Sequence, residues 1–143
     1  MTDRLEEPVW EYMRAQLDFN DSEMANFRNT PRNAEIIAKG LAAMDTKIVF
    51  EVVQSKGCFS GHRTGDRLTF DLQGNLLTGK CPERVCMHAV QAGAHHLFAA
   101  GELLHHGVDP EQMRFKRFGC LDVGLECGGW GHVVMEIKVV RPE

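Results

Sequence analysis

Lys47-Ile-Val-Phe-Glu-Val-Val-Gln-Ser-Lys-Gly-Cys58-Phe-Ser-Gly-His62-Arg-Thr-Gly-Asp66 is the stretch on which the reading of this chain turns. Its first half is rich in β-branched residues and partly alternating, the signature of a strand. Its second half sets a thiol, an imidazole and a carboxylate among three glycines, which let the backbone turn sharply. A strand that ends in a compact loop of chemically capable residues is thus expected here.

Upstream of Lys47 the pattern is helical. Val9, Trp10, Met13 and Leu17 recur at helical spacing, Asp21-Ser-Glu-Met offers a cap and a short helix, and Pro31 suits the first turn of a third. Ile36, Ile37, Leu41 and Met44 would make the buried face of that helix. No linker rich in Gly, Ser or Pro intervenes, so residues 1–46 are expected to be a helical extension packed on an α+β core formed by residues 47–143.

Downstream, Arg67-Leu-Thr-Phe-Asp-Leu alternates like a strand and runs into the turn Gln73-Gly-Asn75. Glu83 to His105 reads as a long helix despite Gly93 and Gly101, with Gly107 as its stop. Met113 to Phe118 and His132 to Val140 read as the last strands. The expected class is α+β: a small antiparallel or mixed sheet with one long central helix, in the order β-β-α-β-β.

The 143 residues suffice for one domain with its own core, and 43% apolar and 25% charged residues are ordinary for a globular chain. A net charge of −4 gives no basic stripe for nucleic acid or an anionic membrane. The charged N-terminus is not that of a signal peptide, and no apolar run reaches the ~20 residues that span a bilayer, so a cytoplasmic location is expected. Five cysteines in a reducing compartment imply free or metal-bound thiols.

The candidate ligands are Cys58, His62, Cys81, Cys86, His88, Cys120 and Cys127, and thiolate with neutral imidazole is the usual ligand set of zinc. None of the spacings, Cys58-x3-His62, Cys81-x4-Cys86 and Cys120-x6-Cys127, is the C-x2-C unit of a zinc ribbon, and buried free cysteines are ordinary core filler. Cys58 could instead be a nucleophile with His62 as its base. Asp66 would orient His62 or, more commonly, accept backbone hydrogen bonds in the turn. His88 and His95, seven residues apart, could share a helix face toward a pocket. Gly128-Gly-Trp-Gly131 precedes a strand and lacks a following Lys-Ser/Thr, so it is no phosphate loop and no nucleotide cofactor is expected. Trp130 is expected in the core rather than in a pocket wall.

The pattern Lys-Gly-Cys58-x3-Gly-His62-x2-Gly65-Asp66, then Cys81-Pro82, then Cys120 before a final apolar strand, resembles a family of small, functionally uncharacterised bacterial and archaeal proteins. The resemblance covers residues 47–140. It implies that Cys58, His62, Cys81 and Cys120 belong together, without implying an activity. The family has a Cys-Pro-Asp segment near its end; here Cys120 is followed by Leu-Asp, and the Cys127-Gly-Gly-Trp segment is extra, so Cys127 stands as an alternative or additional ligand.

Three functions follow as expectations. The first is one zinc ion, or alternatively iron, held by Cys58, His62, Cys81 and Cys120, either structural or acting on a small-molecule substrate in hydrolase or lyase chemistry, with Asp66 or His88 carrying the proton. The second is an interaction module that forms a homo-oligomer or docks on a partner through residues 1–46. The third is a metal-free thiol enzyme built on Cys58 and His62.

Overall fold

The computed structural model describes residues 5–143; the first four residues of the expected extension lie outside the described residues. Three helices come first, α1 (Glu7–Leu17), α2 (Asp21–Asn29) and α3 (Pro31–Ala42). Local chemistry sets their ends. Asp18 leaves α1 in the left-handed conformation (φ 54°), Asn20 and Glu23 form a reciprocal capping box at the start of α2, and Pro31 opens α3, where a missing N–H costs little. Trp10 is buried inside this layer, edge-on to Phe27 and beneath the Arg28 guanidinium, so the largest side chain of the α1 face is covered by its own chain.

Two strands follow, β1 (Lys47–Lys56) and β2 (Arg67–Phe70), then the 19-residue helix α4 (Met87–His105), then β3 (Arg117–Gly119) and β4 (His132–Val140). The protein is α+β, and its sheet is antiparallel throughout in the order β2-β1-β4-β3. The central pair, β1 and β4, runs in register from Lys47 opposite Val140 to Lys56 opposite His132, with one irregularity between Val52 and Gln54. That register carries the Lys56 end of β1, and the loop that follows, to the residue that opens β4.

One sheet face is apolar. Ile48, Phe50, Leu68, Phe70, Met135 and Ile137 are fully buried, and Phe50 touches both Phe70 and Phe118 at ring-centroid distances of 4.7 and 4.8 Å. Each buried side chain of this size contributes ~1.5–3 kcal/mol. Helix α4 lies on this face through Ala89, Gly93, Ala100 and Leu104. A β-carbon on Gly93 would come 2.6 Å from Phe118 Cζ, so the glycine that looked like a weak point in the helix is where helix and sheet approach most closely. On the opposite face Glu51 holds Arg67 and Lys138, each at 2.8 Å.

Two element boundaries differ from expectation. Helix α4 starts at Met87 rather than near Glu83, because Cys81 and Cys86 are tied to other parts of the chain and the residues between them bridge those anchors. Strand β3 is reduced to Arg117–Gly119, since Pro110–Gln112 forms a 3-10 turn capped by Asp109 and pairing with β4 begins only at Arg117. Among the described residues no helix is long and apolar enough to cross a membrane.

Candidate functional site

At the end of the sheet where β1 finishes and β4 begins, the loop after β1, the N-terminus of α4 and the loop between β3 and β4 enclose a cavity of about 130 Å³. Three thiols, Cys58, Cys86 and Cys120, and three imidazoles, His62, His88 and His132, line it together with Asp122. Its closeness depends on one glycine. A β-carbon on Gly131 would overlap the Gly57 carbonyl, so only glycine lets the two loops pack backbone to backbone.

The loop after β1 is a rigid holder. Cys58 carbonyl accepts from the Gly61 N–H, the Ser55 hydroxyl donates to the His62 carbonyl at 2.6 Å, and Val52 exchanges main-chain bonds with Gly65 and Asp66. Asp66 accepts the Arg63 N–H at 2.9 Å, the turn-stabilising role, while its carboxylate stands 3.9 Å from His62 Nδ1, too far for a direct hydrogen bond. His62 is buried, and its Nε2 accepts the main-chain N–H of Cys86 at 3.2 Å. A nitrogen that accepts carries a lone pair, so His62 is the neutral Nδ1–H tautomer, with Nε2 committed to the backbone. Its ring nitrogens face Cys86 and Asp66 rather than the Cys58 thiol.

The opposite loop is built the same way. Asp122 accepts the N–H groups of Gly124, Trp130 and Gly131 at 2.9–3.0 Å. The Gly124 and Trp130 bonds, with the Gly131 bond and the nearby His132, hold its carboxyl below the usual carboxylate range against the opposing effect of burial. His132 Nδ1 is hydrogen-bonded to the Asp122 carbonyl, and since a carbonyl only accepts, Nδ1 carries the proton. Cys120 accepts the Val133 N–H at 3.3 Å through sulfur and lies 3.8 Å from His132 Nδ1. Gly119 makes room for the ring: a β-carbon there would meet His132 Cε1 at 2.7 Å.

Cys86 is the distinctive thiol. It is the N-cap of α4, where unpaired N–H groups and the helix dipole favour negative charge. Burial by itself would raise its pKa, but the N–H groups of Ala89 and His88 and the Ser60 hydroxyl outweigh that and hold the thiol below its ordinary value.

The remaining candidates divide. Cys81 is absent from the cavity: its sulfur accepts the Thr69 N–H at 3.4 Å and faces the Leu77 carbonyl at 3.2 Å, clamping the lead-in of α4 to β2. Cys127 is exposed, in a short 3-10 turn. His88 reaches the cavity, whereas His95 is exposed on α4 and does not line it. Trp130, expected in the core, is 77% exposed and meets the exposed ring of Phe59 edge-on.

His132, Asp122 and Ser60 were not singled out in the sequence. The pairing of Lys56 with His132 is the signal that brings His132 beside Cys58, and it is a register, invisible without the strand partner. Among the described residues, no group of three or more Cys, His, Asp or Glu side chains is arranged to hold a metal ion. His62 Nε2, His132 Nδ1 and both Asp122 oxygens are engaged with the main chain, which leaves the second ring nitrogen of each histidine as its remaining donor or ligand atom. Comparison with protein-family models, with curated proteins and with solved structures finds no match for this chain.

Proposed function

We propose that this protein works through a thiolate at Cys86, which attacks an electrophilic small molecule held in the cavity between the two loops. The observation that carries this reading is the position of Cys86 in the cavity wall at the N-terminus of α4, while the His62 and His132 rings and Asp122 are engaged with the backbone. Thiolate, not thiol, is the nucleophile, and a helix N-terminus is a standard means of forming it near neutral pH. The sulfur supplies the electron pair of the new bond, the π bond of an attacked carbonyl breaks with its pair going to oxygen, and His88, which also lines the cavity, is the candidate to deliver the proton that this oxygen takes up. The reading takes the β-β-α-β-β core as the functional unit, with α4 as its central helix, and supposes a reducing compartment such as the cytoplasm, where the thiol stays free.

This replaces Cys58 with Cys86 as the nucleophile and makes His62 a holder rather than a base. A second reading keeps zinc, or iron, because three thiols share one cavity. It needs Cys86 in place of Cys81, whose sulfur is held by β2, and it would use His132 through Nε2 with the Nδ1 bond to the Asp122 carbonyl kept.

Alkylation by iodoacetamide at pH 7, mapped by mass spectrometry, separates the two. The thiol reading expects Cys86 to react first, Cys81 to lag, and Cys86→Ser to remove the fast phase. Equal, slow reaction of all five thiols would sink it. Stoichiometric metal in protein purified without a metal-binding tag, with Cys86 shielded until a chelator is added, would replace it with the metal centre.

A further inference from the structure

The mouth of the Cys86 cavity is unusually apolar for a surface. Phe59, which also lines the cavity, is 91% exposed and meets Trp130 edge-on at 6.2 Å, and Trp130 is itself 77% exposed. Met87, Leu121 and Val123, each adjacent in sequence to a residue of the cavity wall, are exposed as well. Exposed large apolar side chains scattered singly need no explanation, but two exposed aromatic rings in contact at one concavity mark a binding site.

The walls also specify charge. Among the described residues neither lysine nor arginine lines the cavity. An anionic ligand would enter without a lysine or arginine counter-ion, a costly arrangement in a partly desolvated site. Size narrows the class further. A closed apolar cavity of about 150 Å³ takes up one benzene ring, so about 130 Å³ with an open aromatic mouth suits a single ring or a short chain, and not a nucleotide or a folded partner.

We infer that the ligand of this site is a small, uncharged, apolar molecule of about one aromatic ring, resting against the Phe59–Trp130 pair with its reactive end toward Cys86. The inference rests on the thiol reading for the reacting group, and on the walls alone for the occupant. It excludes carboxylates and phosphate esters as substrates, so an electrophile such as an uncharged carbonyl compound is the class that both readings accept together.

The test uses the full chain carrying Trp10→Phe, which leaves Trp130 as the single tryptophan emitter. Benzyl alcohol and benzoate, matched in size and different in charge, are titrated while Trp130 emission is followed. A saturable change with benzyl alcohol, at least ~10-fold weaker with benzoate, and weakened by Phe59→Ala, is the expected result. Equal affinity for benzoate, or a Phe59→Ala protein that binds as before, overturns the inference. So does a blue shift of Trp130 that grows with protein concentration alongside a dimer mass, since a second copy would then be the occupant. Iodoacetamide mapping on the same samples keeps the two ideas apart. Fast Cys86 alkylation without ring binding removes this inference alone, whereas ring binding with sluggish Cys86 removes the thiol reading and leaves the ligand class standing.

Discussion

The loop Cys58–Asp66 and the loop Cys120–His132 face each other across the cavity and are built from the same parts: a cysteine, an aspartate that collects main-chain N–H groups, and a histidine bound to the backbone. They differ in how much each aspartate holds. Asp66 accepts one N–H, from Arg63, whereas Asp122 accepts three, from Gly124, Trp130 and Gly131. The first loop is fixed largely by its bonds to β1 and its histidine reaches outward to seat the helix; the second, longer and irregular, is organised around a single carboxylate. In both, residues that look catalytic by type do structural work. The thiol they frame, Cys86, belongs to neither loop.

Substitutions that disturb this pairing should rank accordingly. Gly131→Ala forces a methyl into the Gly57 carbonyl where neither backbone can yield, so a loss of ~3 kcal/mol or failure to fold is expected in urea unfolding. A stable Gly131→Ala protein would show that the loops are not locked together. His62→Ala leaves the Cys86 N–H without its acceptor and opens a void, for ~2–3 kcal/mol by the same measurement, and it should also slow Cys86 alkylation by loosening the helix start. Should alkylation stay fast in His62→Ala, the holder role falls.

The aspartates give the direct contrast. Asp122→Ala should lower Tm more than Asp66→Ala, because it orphans three N–H groups instead of one; equal shifts would mean that the two loops are held alike. Asp122 also supplies a pH signature. Its folded pKa is depressed, so its contribution is present above the unfolded carboxylate value near ~3.9 and is lost as pH falls through the folded value. Acid unfolding of Asp122→Asn should therefore be less steep below about pH 4.

The smallest expected effect concerns the thiol itself. With Cys86 below the ordinary thiol pKa of ~8.5, its alkylation rate should reach half-maximum below that pH, and Ser60→Ala should move the midpoint upward. The linkage has the same sign as for a carboxylate: ionisation favours the folded chain above ~8.5, and the benefit fades as pH falls toward the folded pKa. A midpoint at the free-thiol value would leave the helix N-terminus without a chemical role.

Local pattern made much of this legible. The helical face with Trp10, the β-branched run at Lys47, and the alternation from His132 to Val140 each name their element, because helix and strand periodicities act within a few residues. The tight turn of Gly57, Gly61 and Gly65 was equally readable, since all three adopt positive φ. The start of α4 was not: whether Pro82 or Cys86 precedes the first turn depends on Thr69 and His62, which are distant in sequence.

The sequence by itself determined the α+β class and the presence of a thiol- and imidazole-bearing loop after β1. Only the tertiary structure decided which cysteines meet. Cys81 and Cys86 are indistinguishable as residue types and lie five positions apart, yet one spends its sulfur on β2 while the other caps a helix over the cavity. Antiparallel pairing of β1 with β4 brings His132 to the loop after Lys56, and packing at Gly131 closes the wall. Register and close approach are relations between segments far apart in the chain, so composition and spacing within any one segment cannot carry them.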